Sequence, residues 1–117
     1  MIGVDIVSIE RIEALIKRFG DRGLARFLNE SEIALCGGRA QSIAGFWAAK
    51  EAIAKALGCG IGSQLSFREI TIEKNKFGAP SVNLSRRAMG VFRVERVAIS
   101  ITHEKTFAIA AAFVKFH

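Results

Sequence analysis

The stretch Phe46-Trp47-Ala48-Ala49-Lys50-Glu51-Ala52-Ile53-Ala54-Lys55-Ala56-Leu57-Gly58 decides the fold. Its alanines, leucine and long side chains favour helix. Spacings of three and four put Ile43, Phe46, Trp47, Ile53, Ala54 and Leu57 on one apolar stripe. Lys50 falls inside that stripe, Glu51 lies beside it, and Lys55 lies one turn beyond Glu51. Five small residues (Ala48, Ala49, Ala52, Ala54 and Ala56) let other backbone approach closely. Gly58 supplies a C-terminal stop. A helix this apolar is central and largely buried, so a Lys and a Glu on its margin need partners. An edge ion pair is the ordinary reading of Glu-x-x-x-Lys and is worth only ~0.3–0.5 kcal/mol. Only the rest of the chain gives reason to depart from it.

The chain has 117 residues and half of them are hydrophobic, so residues 1–117 read as a single domain with a real core. Cys36 and Cys59 show neither paired nor metal-like spacing, and the N-terminus has no basic leader. Free thiols in a cytoplasmic protein are therefore expected. No run of ~18 uncharged apolar residues occurs, so no membrane partner is expected. The formal net charge of +6 implies a polyanionic partner or substrate. Nucleic acid, an acidic protein or a phosphorylated small molecule would each satisfy it.

Outward from the long helix, placed at about 41–57, the chain alternates strand and helix signals without regular β-α-β order. Ile2 to Val7 reads as a strand, with Ile2, Val4 and Ile6 on one face and Gly3, Asp5 and Val7 on the other. Asp5 is out of place there: an acid among β-branched neighbours needs a partner, a cap or a metal. Ser8 caps an amphipathic helix whose apolar stripe is Ile9, Ile12, Leu15, Ile16 and Phe19, ending at Gly20. Its outer face carries Arg11, Lys17 and Arg18, either as a solvated surface or as a docking face for something acidic. Leu24–Leu28 reads as a helical turn and 30–36 as a short helix capped by Asn29 or Ser31. Gly58-Cys59-Gly60-Ile61-Gly62 follows a helix, whereas a phosphate loop precedes one, so it reads as a cap and turn. Residues 67–73 and 81–84 form a hairpin around a turn at Lys74–Pro80. Ser85 caps a further helix through about Phe92. Strands at Val97–Ile101 and Phe107–Val114 make a last antiparallel hairpin, the second of them apolar on both faces as a central strand is. The class is α+β: a small antiparallel sheet wrapped around a long central helix.

The misplaced acids form a candidate site. Asp5 on the first strand and Glu51 on the central helix suit Mg²⁺, which takes one or two carboxylates, keeps waters and uses substrate phosphates for the rest. Lys55 is placed to reach a phosphate oxygen, with Lys50 as a second candidate. His103, at a strand end, is either a surface histidine or a group that meets phosphate or moves a proton. No Ser-His-Asp spacing supports covalent catalysis.

Three blocks in order, Ile2-Gly3-Val4-Asp5-Ile6, Trp47-Ala48-Ala49-Lys50-Glu51-Ala52 with Lys55-Ala56-Leu57-Gly58, and Ser100-Ile101-Thr102-His103, resemble the small phosphopantetheinyl transferases. Gly60-Ile61-Gly62, Leu65-Ser66-Phe67 and Gly78-Ala79-Pro80 extend the resemblance over essentially the whole chain. It implies transfer of the 4′-phosphopantetheine arm of coenzyme A to a serine of apo acyl carrier protein, with release of adenosine 3′,5′-bisphosphate, in support of fatty acid biosynthesis. It also implies Mg²⁺ held by Asp5 and Glu51. Lys55 would lie on the diphosphate, His103 near the coenzyme A phosphates, and Gly78–Pro80 at the adenine end. Arg11 and Arg18 would be the docking face for the acidic carrier protein. The assembly it implies is a homotrimer with interfacial sites. Glu51 or a metal-bound hydroxide, aided by His103, is the candidate base. Many relatives carry Arg where this chain has Phe46, so a phosphate contact is lost there or passes to Lys50 or Lys76.

Two other readings stand beside this one. A basic nucleic-acid-binding module would explain the charge but leaves Asp5 and Glu51 idle, so nucleic acid is not the expected partner. A metal-dependent phosphodiesterase would use the same carboxylates on another diphosphate.

Overall fold

The computed structural model describes residues 1–117. β1 (Ile2–Ser8) runs directly into α1 (Ile9–Phe19), and Ser8 caps that helix by accepting the Arg11 amide at 3.3 Å. One turn, α2 (Asp21–Leu24), follows, ending where the sequence led one to expect it to begin. α3 (Glu30–Cys36) opens with a capping box: Asn29 is the N-cap and Glu32 accepts the Asn29 amide at 2.7 Å. The long helix α4 spans Ala40–Leu57 and stops at Gly58, which has φ +84°. A 3₁₀ turn at Phe67–Glu69 takes up residues that strand alternation had claimed, and β2 (Ile70–Lys74) starts after it. β3 (Pro80–Leu84), α5 (Arg86–Val91), β4 (Val94–His103) and β5 (Phe107–Phe116) complete the chain.

The strands form two antiparallel sheets. β5 is central in the order β1-β5-β4, and β2 pairs with β3 alone. Asp5 is paired with Ala110, which in turn is paired with Ile101, so one row crosses the larger sheet from edge to edge. α4 lies against the inner face of that sheet. At its N-terminal end Gly45 is so close to Ile101 that an added Cβ would sit 2.8 Å from the Ile101 side chain. At its C-terminal end, a Cβ on Gly3 would fall 1.9 Å from the Ala52 carbonyl oxygen. Strand and helix backbones therefore touch at Gly3, and only the small residues of α4 permit it. This is the α+β arrangement expected, with the long helix buried at the centre.

The packing also settles which way β1 faces. Gly3 and Val7 point inward to α4, while Ile2, Val4 and Ile6 point outward. They join Phe107, Ile109 and Phe113 of β5 in an apolar outer face whose members are 40% to 71% exposed. Phe27 meets Trp47 and Phe67 edge-on, and Trp47 and Phe67 are tilted against each other, in an aromatic cluster with centroids 4.7 to 6.0 Å apart.

Candidate active site

Two clusters of functional side chains flank α4, one at each edge of the sheet. The first joins β1 to the C-terminal half of the helix. Lys55 Nζ donates to Asp5 Oδ1 at 2.9 Å and to the Val4 carbonyl at 3.2 Å. The helix-edge pair of Glu51 with Lys55 is not formed, because Lys55 crosses to the strand instead. Burial pushes the Glu51 carboxyl above the usual carboxylate range, and the neighbouring Asp5 charge adds to this against a smaller opposing pull from Lys55. The hydrogen bond from Lys55 to Asp5 raises the lysine in turn. Glu51 itself forms no ion pair. Two hard oxygen donors from different elements, one of them half-buried and uncompensated, are a set that a divalent cation would relieve. No group of three or more His, Cys, Asp or Glu forms a metal cage. An ion here would complete its shell with water and ligand oxygens, which is the habit of Mg²⁺. The donor set therefore fits that ion.

The second cluster lies at the other edge. Gln41, Ser42 and Phe46 of α4, Lys74, Gly78 and Pro80 of the β2–β3 hairpin, and Ile101 and His103 of β4 line a cavity of about 130 Å³. The structure thus brings together His103, Gly78 and Pro80, which the sequence had linked only through a resemblance. It adds Lys74, whose ammonium lies 5.6 Å from the centre of the Phe46 ring. Lys74 was hidden from sequence reasoning because it read as part of a turn. Its register partner Pro80, on the opposite strand, is what carries it to the cavity.

Lys50 is corrected. Its side chain is fully buried, and its ammonium donates to Glu32 Oε1 at 2.7 Å and to the carbonyls of Phe27 at 2.7 Å and Phe67 at 3.2 Å. All three protons are used, and no face remains for a ligand. Lys76 is also absent from the cavity and lies over the Phe77 ring. Arg11 and Arg18 are exposed on α1, and Arg18 and Arg26 both stand over the exposed Phe19 ring, at 5.1 and 5.8 Å.

Comparison with known proteins places this geometry. The family profile of the 4′-phosphopantetheinyl transferase superfamily matches residues 1–112. The holo-[acyl-carrier-protein] synthase of Wolinella succinogenes is 56% identical over 110 residues, covering 94% of this chain and 92% of that protein. The crystal structure of the Helicobacter pylori holo-[acyl-carrier-protein] synthase in complex with coenzyme A superposes with a TM-score of 0.96 at 50% identity, covering 98% of this chain and all of that one. The Neisseria meningitidis enzyme superposes at 0.87 with 33% identity, over 97% of this chain and 96% of that one. The chain belongs to the 4′-phosphopantetheinyl transferase superfamily and, within it, to the holo-[acyl-carrier-protein] synthase family.

Proposed function

We propose that the protein transfers the 4′-phosphopantetheine arm of coenzyme A to a serine of an apo acyl carrier protein. The reaction requires Mg²⁺, releases adenosine 3′,5′-bisphosphate and serves fatty acid biosynthesis. The observation that carries this reading, in a chain of this family, is the meeting of Asp5 and Glu51 beside Lys55 at the β1 edge. Bound between Asp5 and Glu51, Mg²⁺ would supply neutralisation of the charge that develops on the diphosphate. Lys55, exposed and already bonded to Asp5, offers its ammonium to a diphosphate oxygen. The serine hydroxyl attacks phosphorus in line, and most of the chain's contribution is positioning. Glu51 and His103 are the two groups of this chain suited to take the serine proton.

The partner surfaces follow from charge and exposure. Arg11, Arg18 and Arg26, with Phe19 among them, form a basic face with an apolar centre for the acidic carrier protein. The apolar outer face of the sheet is what a homotrimer would bury. A trimer also accounts for the separation of the two clusters. They lie at opposite sheet edges with α4 between, and a neighbour's edge would bring the carboxylates of one protomer to the basic cavity of the next. No helix is long and apolar enough to cross a membrane. The cytoplasmic setting we infer rests on two free thiols, Cys36 and Cys59, and on a coenzyme A substrate.

The test is intact mass spectrometry of an apo acyl carrier protein incubated with the enzyme, coenzyme A and Mg²⁺. The expected result is a gain of one phosphopantetheine that disappears on chelation. An unchanged carrier mass with folded enzyme would refute the reading.

A further inference from the structure

We propose that the hollow between α5 and the start of β4, walled by Arg86, Arg93 and His117, is a second binding site, which takes the phosphate monoester group of a small soluble molecule. The inference goes beyond the transferase reading and does not depend on it.

Arg86, Met89, Gly90 and Arg93 stand at i, i+3, i+4 and i+7, so they share one face of α5 and of the turn that ends it. With Val94 and His117 they line a hollow of about 510 Å³. No aspartate or glutamate lines it. The nearest acid along the chain, Glu95, is held by Lys115 at 3.0 Å. Neither Arg86 nor Arg93 makes an ion pair. The hollow sits at the Val94 end of the ten-residue β4, so at ~3.3 Å per residue His103 of the same chain lies roughly 30 Å away.

Three of these residues are each a poor local choice, and the hollow is what they have in common. Arg93 follows the C-cap Phe92 of α5 and has φ +55°, the one non-glycine residue of the chain in the left-handed region. Glycine is the usual occupant of that position. The His117 amide donates to the Arg93 carbonyl at 2.8 Å and holds the conformation. A bulky side chain held in such backbone points to a use for its head group. Arg86 opens α5, whose first turn carries no acid. That end of a helix favours an anion over a cation. Arg87 beside it is answered by Glu69, and Arg86 by nothing. Gly90 lies within α5 without a positive φ, and an added Cβ would meet nothing within 4 Å. Neither backbone nor packing asks for glycine there, and it costs helix stability against alanine. Its missing side chain leaves the floor of the hollow open between the two arginines. Local choices that work against the fold gather where function is carried.

The donors select the ligand. One guanidinium fork already occupies both oxygens of a carboxylate. Two forks and an imidazole match the three terminal oxygens of a phosphate monoester, and two unpaired guanidinium charges match its charge of about −1.5 to −2. Met89 beside them offers an apolar surface to the body of the ligand.

The experiment follows backbone amides by NMR in the full chain while phenyl phosphate, or in a separate titration benzoate, is added without Mg²⁺. Phenyl phosphate is expected to shift the Gly90, Arg93 and His117 amides saturably, and benzoate to bind at least about tenfold more weakly. Arg86→Gln, Arg93→Gly and Gly90→Ala are titrated likewise, and thermal melts and carrier transfer are measured on each. Each variant is expected to bind phenyl phosphate about tenfold or more weakly while transfer stays at the wild-type rate. Arg93→Gly and Gly90→Ala are also expected to melt at or above wild type, because each relieves a local cost. An Arg93→Gly chain that melts below wild type would show an arginine kept for the fold and would overturn the proposal. Absent shifts, variants that bind as wild type does, or equal binding of benzoate would overturn it too. A matching loss of transfer in the variants would mean one site where we infer two. A single-stranded oligonucleotide that shifts the same amides at lower concentration than phenyl phosphate, with a steep salt dependence, would replace the small ligand with nucleic acid.

Discussion

Lys50 donates to Glu32 across 2.7 Å, and both side chains are sealed from solvent. The pair is a structural hub. Glu32 also accepts the Asn29 amide at 2.7 Å and the Ile72 amide at 2.8 Å, so one carboxylate ties α3 and β2 to α4. Lys50→Met leaves that carboxylate buried without its counter-charge. Removing one partner of such a pair costs ~3–5 kcal/mol. Urea unfolding should show a loss of that order, with part of it recovered in Lys50→Met/Glu32→Gln. A Lys50→Met variant as stable as wild type, but unable to bind coenzyme A, would return Lys50 to the ligand.

That pair marks where the sequence stopped being legible. A lysine inside an apolar stripe reads equally as a ligand group or as a buried ion. Its partner lies on a separate seven-residue helix, and no local pattern connects them. Lys55 likewise left its helical neighbour Glu51 for Asp5, a choice made by tertiary packing. The alternation of β1 showed two faces but not which was inward. That was decided by the absence of a side chain at Gly3, against Ala52. By contrast, α4, its stop at Gly58, the Ser8 and Asn29 caps and the last hairpin were legible because periodicity and capping chemistry are local. Asp5 and Glu51 stood out because acids are costly where they lie.

Glu69 gives the stability a pH signature. The Arg87 guanidinium, then the Ser66 amide, hold its carboxyl down at about 2. Arg87 bonds both carboxylate oxygens, at 2.7 and 2.9 Å. A depressed carboxylate stabilises fully above its unfolded value of roughly 4.3 and loses that contribution as pH falls towards the folded value. Thermal melts between pH 5 and pH 2.5 should fall less steeply in Arg87→Met than in wild type. Parallel curves would show that the pair does not govern the acid limb.

The exposed apolar sheet face predicts assembly. Ile109 is paired in register with Ile6, and both point outward. Ile109→Asp should convert a three-chain species into monomers by sedimentation and lower transfer sharply, although Ile109 is in neither functional cluster. A wild-type protein that is monomeric at working concentration and fully active would refute the interfacial site.

The basic face of α1 predicts a salt-sensitive encounter. Arg18→Glu should lower kcat/KM for the carrier protein by on the order of tenfold at low salt and flatten its dependence on ionic strength. The effect should lie in the carrier term and leave the KM for coenzyme A unchanged. A variant with wild-type salt dependence would move the docking surface elsewhere.

The central claim is that Asp5 and Glu51 together hold the metal on which transfer depends. The most direct measurement is the Mg²⁺ dependence of transfer, by carrier mass, in wild type and Glu51→Gln, with unfolding curves for both. Wild type should saturate with Mg²⁺, and Glu51→Gln should be folded yet lose at least about a hundredfold in rate or require far more metal. A folded Glu51→Gln enzyme with wild-type rate and wild-type Mg²⁺ dependence would contradict the account.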